Sequence, residues 1–118
     1  MTYVKLNGNL YPAEVNGKMI DPDWDNRESK AITLEMDYAT AMNTFVDGLM
    51  WSIVCTYPEI PTGDGNVIRK ANEEFDNSEY FVAGSVTDHR DGRVTVKMGK
   101  PTDAEMLAEL MGVLNEEA

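Results

Sequence analysis

Glycine paired with Asn or Asp, set between short runs of strand-forming residues, constrains this chain more than any other feature. Asn7-Gly8 follows Val4-Lys5-Leu6, Asn16-Gly17 follows the run from Asn9 to Val15, and Asp91-Gly92 lies between Tyr80–Thr87 and Arg93–Met98. A type I′ turn needs positive φ at both central residues, which Asn and Asp tolerate and Gly prefers. Segments joined by such turns pair antiparallel, so the N-terminal third is expected to be a small meander. Pro12 has no N–H to give a ladder, which predicts an edge strand or an interruption there.

Elsewhere the period of the apolar residues changes twice. Ile32, Leu34 and Met36 alternate with Thr33 and Glu35, as in a strand with one buried face. Tyr38, Ala41, Met42 and Phe45 then fall at helical spacing, with Asp37 before them and Gly48 beyond, which predicts a helix of about ten residues. Leu49 to Tyr57 reads as a covered strand with Trp51, Ile53 and Cys55 on one face, and the Pro/Gly-rich stretch 58–65 as a loop. Val67, Ile68, Ala71 and Phe75 suit a short helix. Val94, Val96 and Met98 alternate against Arg93, Thr95 and Lys97, so the Asp91-Gly92 hairpin is expected in full.

Near the end, Thr102 stands three residues before Glu105, the spacing of a capping box, and Leu107, Leu110, Met111 and Leu114 form a stripe at helical spacing. A closing amphipathic helix is expected. Strands joined by hairpins, with helices in place of long crossovers, predict an α+β fold: a mainly antiparallel sheet, or a small partly open barrel, with two or three helices. The chain has 118 residues without repeat or linker, enough for one core, so residues 1–118 are expected to form a single domain.

Charge narrows the function classes. Ten Lys and Arg face 21 Asp and Glu, a net charge of −11. Residues 31–65 and 101–118 carry acids and no base at all. Binding to nucleic acid releases counterions only where Lys and Arg displace them, so neither direct nucleic-acid binding nor docking on an anionic membrane is expected. The N-terminus lacks a basic region followed by an apolar stretch, and no run of about eighteen apolar residues occurs, which predicts neither export nor membrane insertion. Cys55 is the single cysteine and sits among apolar neighbours, where an inert core thiol is expected.

Each candidate for chemistry falls short of its pattern. Asp21, Asp23 and Asp25 alternate as hard-cation ligands do, yet Asn26 stands where an EF-hand turn takes Gly and Ile32 where it takes a bidentate Glu, so an Asp-rich turn is expected. His89 is the sole imidazole, in a turn without an accompanying nucleophile, and one His with one Cys makes no zinc site. Gly63-Asp64-Gly65-Asn66 has neither phosphate-loop pattern, and Glu73 and Glu74 read as solvated neighbours on a helix. No catalytic, cofactor-binding or metal-ligating residue is assigned, and no cofactor is expected. Trp24 in a polar loop either folds back on the core or anchors a partner, and Tyr11 beside Pro12 lies where a second chain could add a strand. The eight Met residues are expected to be core filler.

Val4 to Pro12, Trp24-Asp25-Asn26-Arg27-Glu28-Ser29-Lys30, and Phe45-Val46-Asp47-Gly48 before Trp51-Ser52-Ile53-Val54 resemble small bacteriophage or prophage structural proteins of the tail, neck or baseplate. The resemblance covers the first half of the chain. It implies a non-enzymatic virion or assembly role through contacts with other phage subunits, a homo-oligomer among them, in the host cytoplasm and then in the virion. Leu10, Tyr11, Trp24 and Arg27 are the candidate interface residues. Two rivals follow from the same residues: a small acidic inhibitor or DNA mimic that occupies a basic protein, and an enzyme whose site is shared between subunits.

Overall fold

The computed structural model describes residues 1–117, with side chains as far as Gly112. Asn7 and Gly8 take φ of 51° and 83°, as a type I′ turn demands, and fold β1 (Thr2–Leu6) back on β2 (Asn9–Asp21). β2 then changes partner. Asn9 to Pro12 pair with β1, and Ala13 to Asp21 pair with β3 (Arg27–Glu35) on the other side. Pro12 is the last residue paired with β1, so the missing N–H falls at the hand-over, where a ladder ends in any case.

The second Asn-Gly pair does not turn the chain. β2 runs straight through it, and the register against β3 slips between Asn16 and Met19. Gly17, at φ 112°, sits in that bulge, and a Cβ there would lie 2.8 Å from the Ser29 carbonyl oxygen. A positive-φ glycine serves a bulge as well as a turn, and the partner strand decides which. The turn comes later instead: Asp21 accepts the Asp23 N–H (3.0 Å) at the head of a 3-10 turn, Pro22–Trp24, and Asp25 and Asn26 reverse the chain with φ of 57° and 54°.

After β3, Asp37 caps α1 (Tyr38–Thr44) by accepting the Thr40 N–H at 3.1 Å. The remaining strands are β4 (Trp51–Cys55), β5 (Ile60–Pro61), β6 (Val67–Ile68), β7 (Glu73–Asp76), β8 (Val82–Asp88) and β9 (Arg93–Gly99), before α2 (Asp103–Glu117). Seven strands form one antiparallel sheet in the order β7-β4-β1-β2-β3-β9-β8, and β5 with β6 make a separate small hairpin. The helix expected over Val67–Phe75 is therefore two strands. β7 fills the free side of β4, pairing Phe75 with Ile53, and that ladder outweighs an apolar spacing that happened to match a helix.

The core gathers residues from across the sheet: Val4 and Leu6, Ile32 and Leu34, Trp51, and Val94, Val96 and Met98, closed by Ala41 of α1, by Phe45 at its C-cap and by Tyr80. The sheet rolls over to achieve this. In the strand order β7 and β3 are four steps apart, about 19 Å if flat, yet the segment just after β7 reaches β3. Lys30 Nζ donates to Asn77 Oδ1 (2.5 Å), and Tyr80 OH to Glu28 (3.0 Å). Trp51 Nε1–H donates to the Tyr80 carbonyl (2.9 Å) on the same bridging segment. Val54 is buried outside that core, on the opposite face of β4 from Trp51. Cys55, at the strand's end, is half-buried and not a core thiol. Met98 is in the core and Met36 packs against it, while the other six Met are exposed, so core filler describes the minority.

Candidate interaction surface

Trp24 resolves to the inward alternative. Its ring lies on β8 and β9 where both carry glycine: a Cβ at Gly84 would stand 2.6 Å from the ring, and one at Gly99 3.0 Å. The extra residue that bulges β8 between Ala83 and Val86 falls at this contact. The stem of Arg27 lies on Gly99 as well, nearer to a Cβ there than the ring is, and its guanidinium carbon stands 4.7 Å from the ring centroid. At 4 % exposure Arg27 offers almost no surface of its own.

Arg27 faces the end of the chain. Nη1 donates to the Lys100 carbonyl (2.7 Å) and to Glu105 Oε1 (2.6 Å), and Nη2 to Glu105 Oε2 (2.9 Å), a two-pronged pair across 78 positions. Glu105 also completes the capping box: Oε1 accepts the Thr102 N–H (2.9 Å) and the Glu105 N–H donates to Thr102 Oγ1 (3.2 Å). Arg27 and the Thr102 N–H hold its carboxyl at about 2, well below the usual carboxylate range, and the pair raises the Arg27 guanidinium in turn.

Beyond this root the described side chains of α2 touch little. Every residue from Asp103 to Gly112 is exposed, with Leu107 and Leu110 each at 57 %. Orientation explains why. On a helix advancing about 100° per residue, Leu107 and Leu110 lie roughly 140–160° round the axis from Glu105, and Met106 and Met111 about 100–120°. Because Glu105 is clamped to the body, the apolar side of α2 is turned away from it. The molecule is correspondingly long, 71 × 35 × 26 Å, with a radius of gyration of 18.2 Å against about 13.5 Å for a compact chain of this length. The expected stripe is present, but it does not pack on the sheet; Leu114 falls beyond the described side chains.

The other candidates take structural positions. Leu10 is exposed, and Tyr11 is half-buried against the core, on the part of β2 whose second side has no partner strand. Asp21 is turned inward onto Lys97 Nζ (2.6 Å), which lowers its pKa, so that carboxylate serves the fold, while Asp23 and Asp25 are exposed. His89 is exposed, with Nε2 against Thr95 Oγ1 (2.7 Å). Glu73 and Glu74 lie on a strand, Glu73 taking Tyr57 OH (2.6 Å) and Glu74 taking Lys5 Nζ (3.1 Å). Sequence reading missed the Trp24–Arg27–Glu105 stack, whose one visible trace was the pair of glycines facing it. No protein-family model, curated protein or solved structure matches the chain.

Proposed function

We propose that this chain is a structural or assembly subunit that works by protein–protein contact, of the kind found in the tail or head–tail region of bacteriophages and prophages. One observation carries the reading: α2 is rooted through Arg27 and Glu105 while Met106, Leu107, Leu110 and Met111 face solvent. Folded monomers rarely leave large contiguous apolar patches uncovered, and those that persist mark contact sites. In this reading the rolled sheet is a partly open barrel, with β7 and β8 as edges available for strand addition. The subunit acts in the host cytoplasm during assembly and then in the particle.

Particles released from the bacterial host test this directly. Quantitative mass spectrometry should find the chain in them at a fixed copy number. A variant with Leu107→Asp and Leu110→Asp leaves Arg27, Thr102 and Glu105 in place, and should fold yet fail to be incorporated. Absence of the full chain from particles and from assembly intermediates overturns the proposal. The acidic-inhibitor reading is favoured by the net charge of −11. It is separated by salt, since an inhibitor held by charge is released at high ionic strength whereas an apolar assembly contact persists.

A further inference from the structure

We infer that Lys30 and Asn77 become joined by an amide bond between their side chains, a covalent clasp on the rolled sheet. Lys30 lies on β3 and Asn77 just past β7, four steps away in the strand order and 47 positions away in the chain. The two groups are already in contact. Lys30 Nζ stands 2.5 Å from Asn77 Oδ1. A C=O bond is about 1.2 Å long, so the carbonyl carbon, Cγ, lies no more than about 3.7 Å from Nζ, close to the separation from which an aligned attack proceeds. The amide is also held in place: Asn77 is 3 % exposed, and its Nδ2 donates to the Phe75 carbonyl (3.0 Å). Its backbone N–H donates to the Trp51 carbonyl (2.9 Å), and its own carbonyl accepts the Tyr80 N–H (3.0 Å).

The amine is set apart from the other cations. Among the described residues, only Lys30 and Arg90 of the Lys and Arg side chains have no carboxylate within 4.0 Å. Arg90 is exposed in a turn, whereas Lys30 is half-buried, with Nζ 4.8 Å from the ring centroid of the buried Tyr80. Burial lowers the Lys30 pKa; Glu79 and Glu28 oppose that shift, and Lys100 and Lys18 add to it. A desolvated lysine with a larger neutral fraction is a nucleophile. In the step, Nζ adds to Cγ and the Cγ–Nδ2 bond breaks. One of the two hydrogens of the neutral amine passes to Nδ2, which leaves as ammonia, and the other remains as the N–H of the new amide. Glu79, in the turn after Asn77 and the carboxylate that acts most strongly on Lys30, relays that proton. No oxidant or co-reactant is consumed.

Intact mass spectrometry of the full-length chain after prolonged incubation at neutral pH tests this. The parent should weigh less than its sequence by the mass of one ammonia, and tandem spectra of a tryptic digest should show the peptides carrying Lys30 and Asn77 joined. Asn77→Asp should close with loss of one water instead. Lys30→Arg, whose guanidinium stays protonated, should keep its full mass while circular dichroism shows the same fold. Glu79→Gln should close at least tenfold more slowly than the parent. A parent at full mass, with the two peptides separate, overturns the inference. So does a loss of ammonia that persists in Lys30→Arg, since Asn77 has then cyclised onto its own backbone. An unchanged rate in Glu79→Gln overturns the proton relay.

Discussion

Arg27 and Glu105 meet in a two-pronged ion pair, Nη1 to Oε1 at 2.6 Å and Nη2 to Oε2 at 2.9 Å, in which the arginine is buried and the glutamate half-exposed. The asymmetry gives the two residues different jobs. Arg27 belongs to the packing of Trp24 and β9, whereas Glu105 belongs to the direction of α2. Losing either one should therefore leave a different signature.

Arg27→Ala removes the stem over Trp24, the bond to the Lys100 carbonyl and the anchor of α2. Unfolding free energy should fall by about 2–3 kcal/mol, measured by urea denaturation. Arg27→Lys should recover only part of this, because an ammonium cannot offer the planar fork or the stack. Amide exchange in the first turn of α2 should accelerate in both variants.

The pH dependence has a definite sign. Glu105 titrates at about 2 in the folded chain against an ordinary 4.5, so the stabilisation from this pair is complete above 4.5 and is lost as pH falls toward 2. Carbon-detected NMR titration of the Glu105 carboxyl should place its midpoint well below the ordinary glutamate value of 4.5. In Glu105→Gln the first turn of α2 should lose the acid-induced change in amide exchange. A normal midpoint would show that the pair does not persist in solution.

Gly84→Ala places a methyl 2.6 Å from the Trp24 ring. The ring must shift, so the variant should be destabilised by about 1–3 kcal/mol, with Trp24 emission moving to longer wavelength. Trp24→Leu combined with Gly84→Ala should cost less than the sum of the single changes, because the clash has gone. Strict additivity would mean the two residues do not touch.

Trp51→Phe deletes the Nε1–H donor to the Tyr80 carbonyl in the middle of the core. The lost bond and the volume of the missing ring together should lower stability by about 2–4 kcal/mol. Because Tyr80 bridges the two ends of the sheet, the amides of Asn77 and Tyr80 should lose protection before those of β3. Chemical denaturation and hydrogen exchange read the two effects.

Much of the local structure was legible because neighbours in sequence decide it. Asn7-Gly8 makes its turn, Asp37 caps α1, Thr102 and Glu105 close their box, and Val94, Val96 and Met98 point inward as their alternation required. Asn16-Gly17 misled because its meaning depends on β3, a strand lying beyond the next loop. The segment holding Val67 and Phe75 misled because the open side of β4, not its own spacing, recruited it. In the candidate surface, Leu10 stays exposed while Trp24 and Arg27 turn inward onto glycines that no local rule connects with them.

Sequence by itself determined the turns, the caps, the alternating strands and a C-terminal helix with one apolar side, since each rests on backbone preferences and hydrogen bonds within a few residues. Tertiary structure alone decided where that helix points. Direction depends on a contact between residues 27 and 105, and a pairing across 78 positions leaves no periodic trace in the chain. It turned a stripe of the kind that seals a core into one that faces outward, because the carboxylate clamped to the body lies on the opposite side of the helix from its leucines.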